Sequence, residues 1–275
     1  MKPCDFDADS IVYSALKPYS SGKGGTVFMN INAGPIHIQV PELEIPFDCG
    51  TYYPSETDGF GKYNVKCSLK GYQTDSKIME FHDKLVELDQ KIMSDAMKNS
   101  VLWFKKKNLT QDVIESLYTP MVKVSTDKET GEPNGKYAPT FGFKINKRNH
   151  SVQCKCFTMD KSIMNTDEKE CSDYVDLETK FKKGTKIKML LACNGIWIVN
   201  GKFGCTWKAE QIRINPPVGF DDFSIMDDSD EEDKLEKIET DYVKDSSSEE
   251  EEQEEEEEEV KPKKKIVRKK AAAPK

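Results

Sequence analysis

Histidine is scarce in this chain: three residues in 275, at His37, His82 and His150. None of them stands at ligand spacing from another, and none of the eight cysteines belongs to a C-x-x-C pair. The common zinc frameworks are therefore excluded, and no other metal or cofactor is called for. The same poverty removes the usual general base. No nucleophile–base pair stands out, and the glycine-rich Ser20-Ser21-Gly22-Lys23-Gly24-Gly25 lacks the G-x-x-x-x-G-K-[ST] spacing of a phosphate loop, with no helix pattern after it. It reads as a turn between strands, and the sequence offers no reason to expect an enzyme. Long apolar runs are also missing. Nothing approaches the roughly 18 residues of a membrane helix, and the opening MKPCDFDADS has no apolar core of a secretory signal. Cys67, Cys154, Cys156, Cys193 and Cys205 lie in strand-like runs, where a reduced thiol serves as a small hydrophobe. Cys154 and Cys156 share a strand face. An intracellular, reducing setting is expected.

What is abundant is charge, and it is segregated. The whole chain has a net charge of -8, an average over three regimes. Residues 221–259 carry 22 acidic side chains against 3 lysines, and residues 260–275 carry 8 basic side chains and no acid. Residues 1–220 keep 30 basic and 27 acidic residues, so the part that can fold is mildly basic. From about Asp221 the chain has too few apolar residues and too much like charge to bury a core, and a disordered acidic segment is expected. The end, KPKKKIVRKKAAAPK, has the composition of a nuclear-localisation or nucleic-acid-binding segment.

The most informative stretch is Trp197 to Lys208. Asn200-Gly201 sits between two runs rich in Ile, Val, Phe and Trp, a strong hairpin signal. A two-residue loop sets Val199 opposite Lys202, Ile198 opposite Phe203, Trp197 opposite Gly204 and Ile196 opposite Cys205. One face then carries Ile196, Ile198, Phe203, Cys205 and Trp207 and is a core face. The other carries Trp197, Val199, Lys202, Gly204, Thr206 and Lys208. A large ring opposite a glycine, with lysines nearby, is what a stacked base requires. The alternative is that both tryptophans are core.

The remaining pattern alternates in the same manner. Strands are expected at Ile11–Leu16, Thr26–Asn32, Ile36–Val40, Tyr63–Lys70, Met121–Val124, Thr140–Lys147, Val152–Thr158 and Thr185–Cys193, with Val152–Thr158 as the hairpin partner of Thr140–Lys147. Pro41–Phe60 reads as a long loop. A helix is expected over Asp75–Asn99, its stripe being Ile78, Phe81, Leu85, Leu88, Ile92 and Ala96. A shorter helix, capped by Thr110 and closed by Pro120, follows. This predicts a mainly β chain with inserted helices (α+β), built as an elaborated antiparallel barrel of the oligonucleotide-binding type, with a β-sandwich as the alternative. The expected organisation is residues 1–60 as N-terminal strands and loops packed on a core of residues 61–220, then the acidic 221–259 and the basic 260–275.

Four blocks in order carry a resemblance: NSVLWFKKK at 99–107, LYTPMVK at 117–123, DKETGEPNGKYAPT at 127–140 and NGIWIVNGKFGCTWK at 194–208. Together with the SSGKGG loop they resemble the single-stranded-DNA-binding proteins of nucleocytoplasmic large DNA viruses, the group that includes algal, giant-virus and African-swine-fever-type viruses. The match covers residues 20–215. The resemblance implies an oligonucleotide-binding barrel that coats single strands in viral DNA replication, repair and recombination. It also implies action where viral DNA is copied, in host cytoplasm or nucleus, or packaging in the virion. The acidic segment resembles those of phage single-strand binders, except that this chain ends basic.

The residues thus point to non-enzymatic, sequence-tolerant binding of single-stranded DNA, with RNA as an alternative ligand. Lys66, Lys70, Lys105, Lys106, Lys144, Lys202 and Lys208 are the candidate phosphate contacts, and Trp197 and Trp103 the candidate stacking rings. The acidic segment would compete with DNA or dock replication proteins. The competing reading is a virion structural or scaffolding protein whose charged segment recruits partners.

Overall fold

The computed structural model describes residues 2–20, 22–167 and 174–217. The expectations for residues 221–275 lie outside the described residues. Seven strands organise the molecule: β1 (Gly24–Val27), β2 (His37–Glu44), β3 (Gly61–Ser68), β4 (Thr140–Arg148), β5 (Lys155–Phe157), β6 (Lys186–Val199) and β7 (Lys202–Asn215). Three helices lie between β3 and β4: α1 (Ser76–Lys98), α2 (Ser100–Phe104) and α3 (Gln111–Leu117).

The β6–β7 hairpin forms in the register its Asn-Gly pair demands. Asn200 and Gly201 both take positive φ, 50° and 87°, as a two-residue type I′ loop requires. Val199–Lys202, Ile198–Phe203, Trp197–Gly204 and Ile196–Cys205 are the pairs. A bulge between Cys193 and Ile196 and another between Leu190 and Leu191 let the two strands run fourteen residues each without losing the sheet's twist.

The pairing path closes on itself. β2 runs antiparallel to β6 and meets β3 at Glu44–Ser68. β3 pairs with β4 over eight residues, from Ser68–Thr140 to Gly61–Lys147. β4 touches β7 in parallel at Lys144–Lys208, and β7 returns to β6. Each of these five strands therefore has a neighbour on both sides. β1 extends the outer half of β6, pairing Val27 with Ile196 and Thr26 with Trp197. The ring draws on His37–Glu44, upstream of residue 61.

Two expectations need correction. Pro41–Phe60 is not one loop: β2 runs through Pro41 to Glu44, and Tyr52–Pro54 pairs back onto β3. Pro41 is tolerated because it falls in the register shift opposite Ile187 and Met189, where the ladder needs no donor. The sheet is also not wholly antiparallel. Only Ser151–Val152 turns back onto β4, through a tight turn with positive φ at Asn149 and His150, whereas β5 leaves to run parallel to β7.

α1 begins where Asp75 caps it, its carboxylate accepting from the backbone N–H of Lys77 at 2.8 Å and of Ile78 at 3.3 Å. Phe81, Leu85, Leu88, Ile92 and Ala96 are buried as the stripe predicts. Burying each large member stabilises the fold by about 1.5–3 kcal/mol. Two acids share that buried side, and each has partners. Asp95 accepts from Tyr13 Oη at 2.9 Å and from Lys98 Nζ at 3.2 Å, and ion-pairs with Lys91 at 3.4 Å. Asp89 accepts from Tyr118 Oη and, at 3.1 Å, from the Met121 N–H. One acid thus fixes the N-terminal segment to α1, and the other fixes the segment leaving α3. Phe6, Ala8 and Ile11 are buried in the same core as β2 to β7. The α3 helix follows Thr110 as expected, although the threonine side chain makes no capping bond.

Candidate nucleic-acid interface

The long hairpin separates its side chains as alternation dictates. Ile196, Ile198, Phe203, Cys205 and Trp207 are all buried, while Trp197, Val199, Thr206 and Lys208 are half-buried and Lys202 is exposed. Trp207 is locked from both sides: it is 2% exposed, and its Nε1–H points at Met121 Sδ 3.0 Å away. Trp197 belongs to the opposite face. Its neighbours across the sheet are Thr26 of β1 and Gly204 of β7, and beyond Gly204 stands Thr119. A side chain at Gly204 would meet Trp197 Cζ2 at 3.0 Å and the Thr119 carbonyl at 2.9 Å. The indole therefore lies across Gly204, which is buried beneath it, and the missing side chain is what lets the ring lie flat on the strand.

The lysines extend that face toward β3 and β4. Lys208 and Lys144 are register partners, and Lys66 pairs with Gly142 in the adjoining row. Lys208 Nζ lies 2.8 Å from Glu210 Oε1, two residues along the same strand face, so part of its charge is already met. The ammonium of Lys66 stands 5.5 Å from the centroid of the Phe47 ring, which is exposed. Phe47 was not legible as a site residue because it sits in a stretch that reads as loop. Lys202 occupies the hairpin tip. Lys70 lies just past the end of β3, exposed, with its backbone N–H donating to Ser68 Oγ at 3.1 Å.

Trp103 does not join this face. It is 4% exposed and packs edge-on against Tyr13, ring centroids 5.2 Å apart. A ring so enclosed offers no face to a base, so its candidacy for stacking is withdrawn. Its neighbour Phe104 packs at 5.0 Å against Phe203, on the hairpin face opposite Trp197. Lys105 and Lys106 are exposed and follow directly from that helix, Lys105 capping it with a φ of 56°.

Two glycines of the 20–25 loop, Gly24 and Gly25, serve close packing. A Cβ on Gly24 would overlap the Ile198 carbonyl at 2.0 Å, so glycine is what lets β1 lie against the hairpin. The loop joins Lys17–Pro18 to β1 as a turn between strands. Three aromatic or basic residues of this arm stand on or next to the strand that neighbours Trp197: Lys17 pairs with Thr26, Tyr19 accepts from Thr26 Oγ1, and Phe28 follows β1.

Cys67, Cys154, Cys156, Cys193 and Cys205 are buried, and Cys49 is half-buried. Cys193 and Cys205 approach to 3.6 Å between sulfurs, and burial together with that contact pushes the Cys205 thiol well above its ordinary range. Such thiols are inert packing groups. Among the described residues, no group of three or more His, Cys, Asp or Glu is placed to hold a metal ion, and no helix is long and apolar enough to cross a membrane.

A mainly β chain with a closed run of five paired strands and an aromatic–lysine outer face is the class that fold and site define. The sequence matches the "Family of unknown function (DUF5871)" over residues 69–227, and the chain belongs to that family. No curated protein matches it. Among solved structures it is similar to the single-stranded DNA-binding protein from bacteriophage Enc34 in complex with ssDNA, at 12% identity and a TM-score of 0.39, over 75% of this chain and 97% of that one. It is also similar to gp2.5, a single-stranded DNA binding protein encoded by bacteriophage T7, at 14% identity and a TM-score of 0.39, over 75% of this chain and all of that one (100%).

Proposed function

We propose that this protein binds single-stranded DNA without marked sequence preference and without catalysis, at the outer face of an oligonucleotide-binding-type barrel. The observation that carries the reading is the half-buried Trp197 ring laid across Gly204 on the hairpin face opposite the core. Stacking needs a flat ring with room above it, and the neighbouring phosphates need cations, here Lys208, Lys144, Lys66 and Lys202. The closed pairing of β2, β3, β4, β7 and β6 supports the barrel. Barrels of that type use the face of their second and third strands and the loops joining the first to the second and the fourth to the fifth. In this chain those are β3, β4, the 45–60 segment with Phe47, and the Asn200–Gly201 hairpin end. The four ordered sequence blocks support a place in viral DNA replication, repair and recombination.

The test is a titration of the full chain with a labelled oligothymidylate. Stacking contributes about 1–3 kcal/mol per base, so Trp197→Ala is expected to weaken binding by roughly tenfold or more while folding normally. Affinity is expected to fall steeply with salt, and Lys202→Gln to flatten the slope by up to about one unit. A Trp197→Ala protein that folds and binds like the wild type would remove the stacking face. No salt-sensitive binding at all would favour a scaffolding protein instead.

A further inference from the structure

Directly beside Trp197 lies a second aromatic–basic group, outside the residues matched by the family. Lys17 pairs with Thr26, which pairs in turn with Trp197, so all three stand on one face. The Tyr19 N–H donates to the Gly24 carbonyl at 2.9 Å, which continues the same ladder, and Thr26 Oγ1 donates to Tyr19 Oη at 2.9 Å. Phe28 follows two residues after Thr26 and shares its face by alternation. A Cβ built on Gly195 would meet the Phe28 Cα at 3.2 Å and Thr26 Cγ2 at 3.1 Å, which places Phe28 against the residue two before Trp197.

Phe28, one residue past the end of β1, is therefore placed diagonally from Trp197, a position roughly 7–8 Å away between backbones and within reach of large side chains. Phe28 is an aromatic that the fold leaves in solvent. It is 38% exposed, although Val27 and Met29 on either side are buried at 0% and 2%. The Lys17 ammonium stands over its ring, 4.9 Å from the centroid, and so occupies one π-face. An exposed ring with a cation over one face, near a second ring, offers the local chemistry of one nucleotide: the remaining π-face for the base and a positive charge for its phosphate. The backbone is fixed for this purpose, because Ser14 Oγ accepts from the Phe28 N–H at 2.9 Å and the Phe28 carbonyl accepts from the Ser14 N–H at 2.9 Å.

We infer that Phe28 and Lys17 form a second nucleotide subsite, adjacent to that of Trp197, so that the bound strand runs off the barrel face onto the N-terminal arm. This rests on the reading of Trp197 as a stacking ring. The ligand at the subsite is a nucleobase with its 5′ or 3′ phosphate. Tyr19 borders the subsite and orients Thr26 between the two rings.

The experiment compares variants of the full chain binding a labelled oligothymidylate of about 16 nucleotides, the upper site size of one such barrel, with melting temperature measured on each. Phe28→Ala is expected to weaken binding five- to a hundredfold, the range for one lost base stack. Phe28→Tyr, which keeps the ring, is expected to bind like the wild type, and Phe28→Leu, which keeps apolar bulk only, to bind like the alanine variant. Lys17→Gln is expected to lower the salt slope by up to about one unit, and Lys17→Arg to restore it. Combining Phe28→Ala with Trp197→Ala is expected to cost less than the product of the single losses, as for neighbours that share a ligand. If Trp197→Ala weakens binding while Phe28→Ala or Phe28→Leu binds like the wild type, the second subsite is overturned and the first stands. If Trp197→Ala and Phe28→Ala both bind like the wild type, the stacking face itself is lost. Should the alanine variant misfold, the comparison of tyrosine with leucine decides alone.

Discussion

At the scale of single residues, identical side chains have opposite duties, and the structure says which is which. Trp207 and Trp197 stand ten positions apart on the two arms of one hairpin. One is core and the other borders open space, because each strand puts alternate residues on opposite faces. Trp207→Ala is expected to lower stability by about 3–5 kcal/mol, the cost of deleting a large buried aromatic. Calorimetric melting would measure it, and an unchanged melting temperature with lost binding would mean the faces are reversed. Asp89 gives a second residue-level prediction. Burial raises its carboxyl to about 6, although Tyr118 and the backbone N–H groups of Met121 and Val122 pull it down. The unfolded value is lower, so between pH 4 and pH 6, approximately, the folded state holds the extra proton, and stability falls as pH rises through that window. Asp89→Asn keeps an acceptor for Tyr118 and removes the titration. The difference in melting temperature between wild type and Asp89→Asn should therefore change between pH 4 and pH 6, in round terms, and be flat above it. A constant difference would show that Asp89 titrates as an ordinary surface acid.

At the scale of elements, what was legible in the sequence was what local chemistry pins. Asn200-Gly201 permits one register, and a one-residue slip would have turned Ile196, Ile198 and Phe203 to solvent, so pairing and faces were both readable. The α1 stripe was readable for the same reason, with Asp75 marking its start. Non-local partnership was not readable. Cys154 and Cys156 alternate inward whether β5 joins β4 or β7, and periodicity is blind to which. The strand through Pro41 was hidden because proline is a breaker unless a bulge receives it. Trp103 misled for a related reason: in the five-residue α2 the apolar Leu102 is 70% exposed while the tryptophan next to it, two residues before a run of lysines, is buried. The candidate site was legible on its hairpin half, where turn chemistry fixed the grid, and not around β1, where Phe28 just past its end and Lys17 on the strand paired with it gain meaning only from the hairpin nearby. Gly204 tests the element directly. Gly204→Val would press on Thr119 O and the Trp197 ring, both within 3.0 Å of the new Cβ. It is expected to weaken oligonucleotide binding at least as much as Trp197→Ala. Unaltered affinity with unaltered Trp fluorescence would mean that the close approach of the indole to Gly204 is dispensable.

At the scale of the whole molecule, charge decides the behaviour that no single contact controls. Residues 1–220 are mildly basic, and the chain then carries 22 acidic against 3 basic residues over 221–259. Covalent attachment gives such a polyanion an effective concentration on the order of millimolar at the cations of the same chain. It needs no tight binding to compete with a DNA strand for them. Deleting residues 221–275 is therefore expected to raise affinity for single strands, most strongly at low salt, where screening over about 10 Å is weakest. The 8 basic residues of 260–275 act in the opposite sense. Whether they neutralise the acidic run or grip phosphate themselves, removing them alone should weaken binding. The two outcomes separate by salt slope, since a block that grips phosphate adds released counterions and steepens the slope, whereas one that only quiets the acidic run leaves it nearly unchanged. Titrating the three proteins from low to physiological salt measures both effects. If neither deletion moves the affinity at any salt, the charged segment does not govern DNA binding, and the docking of basic partner proteins becomes the function its composition supports.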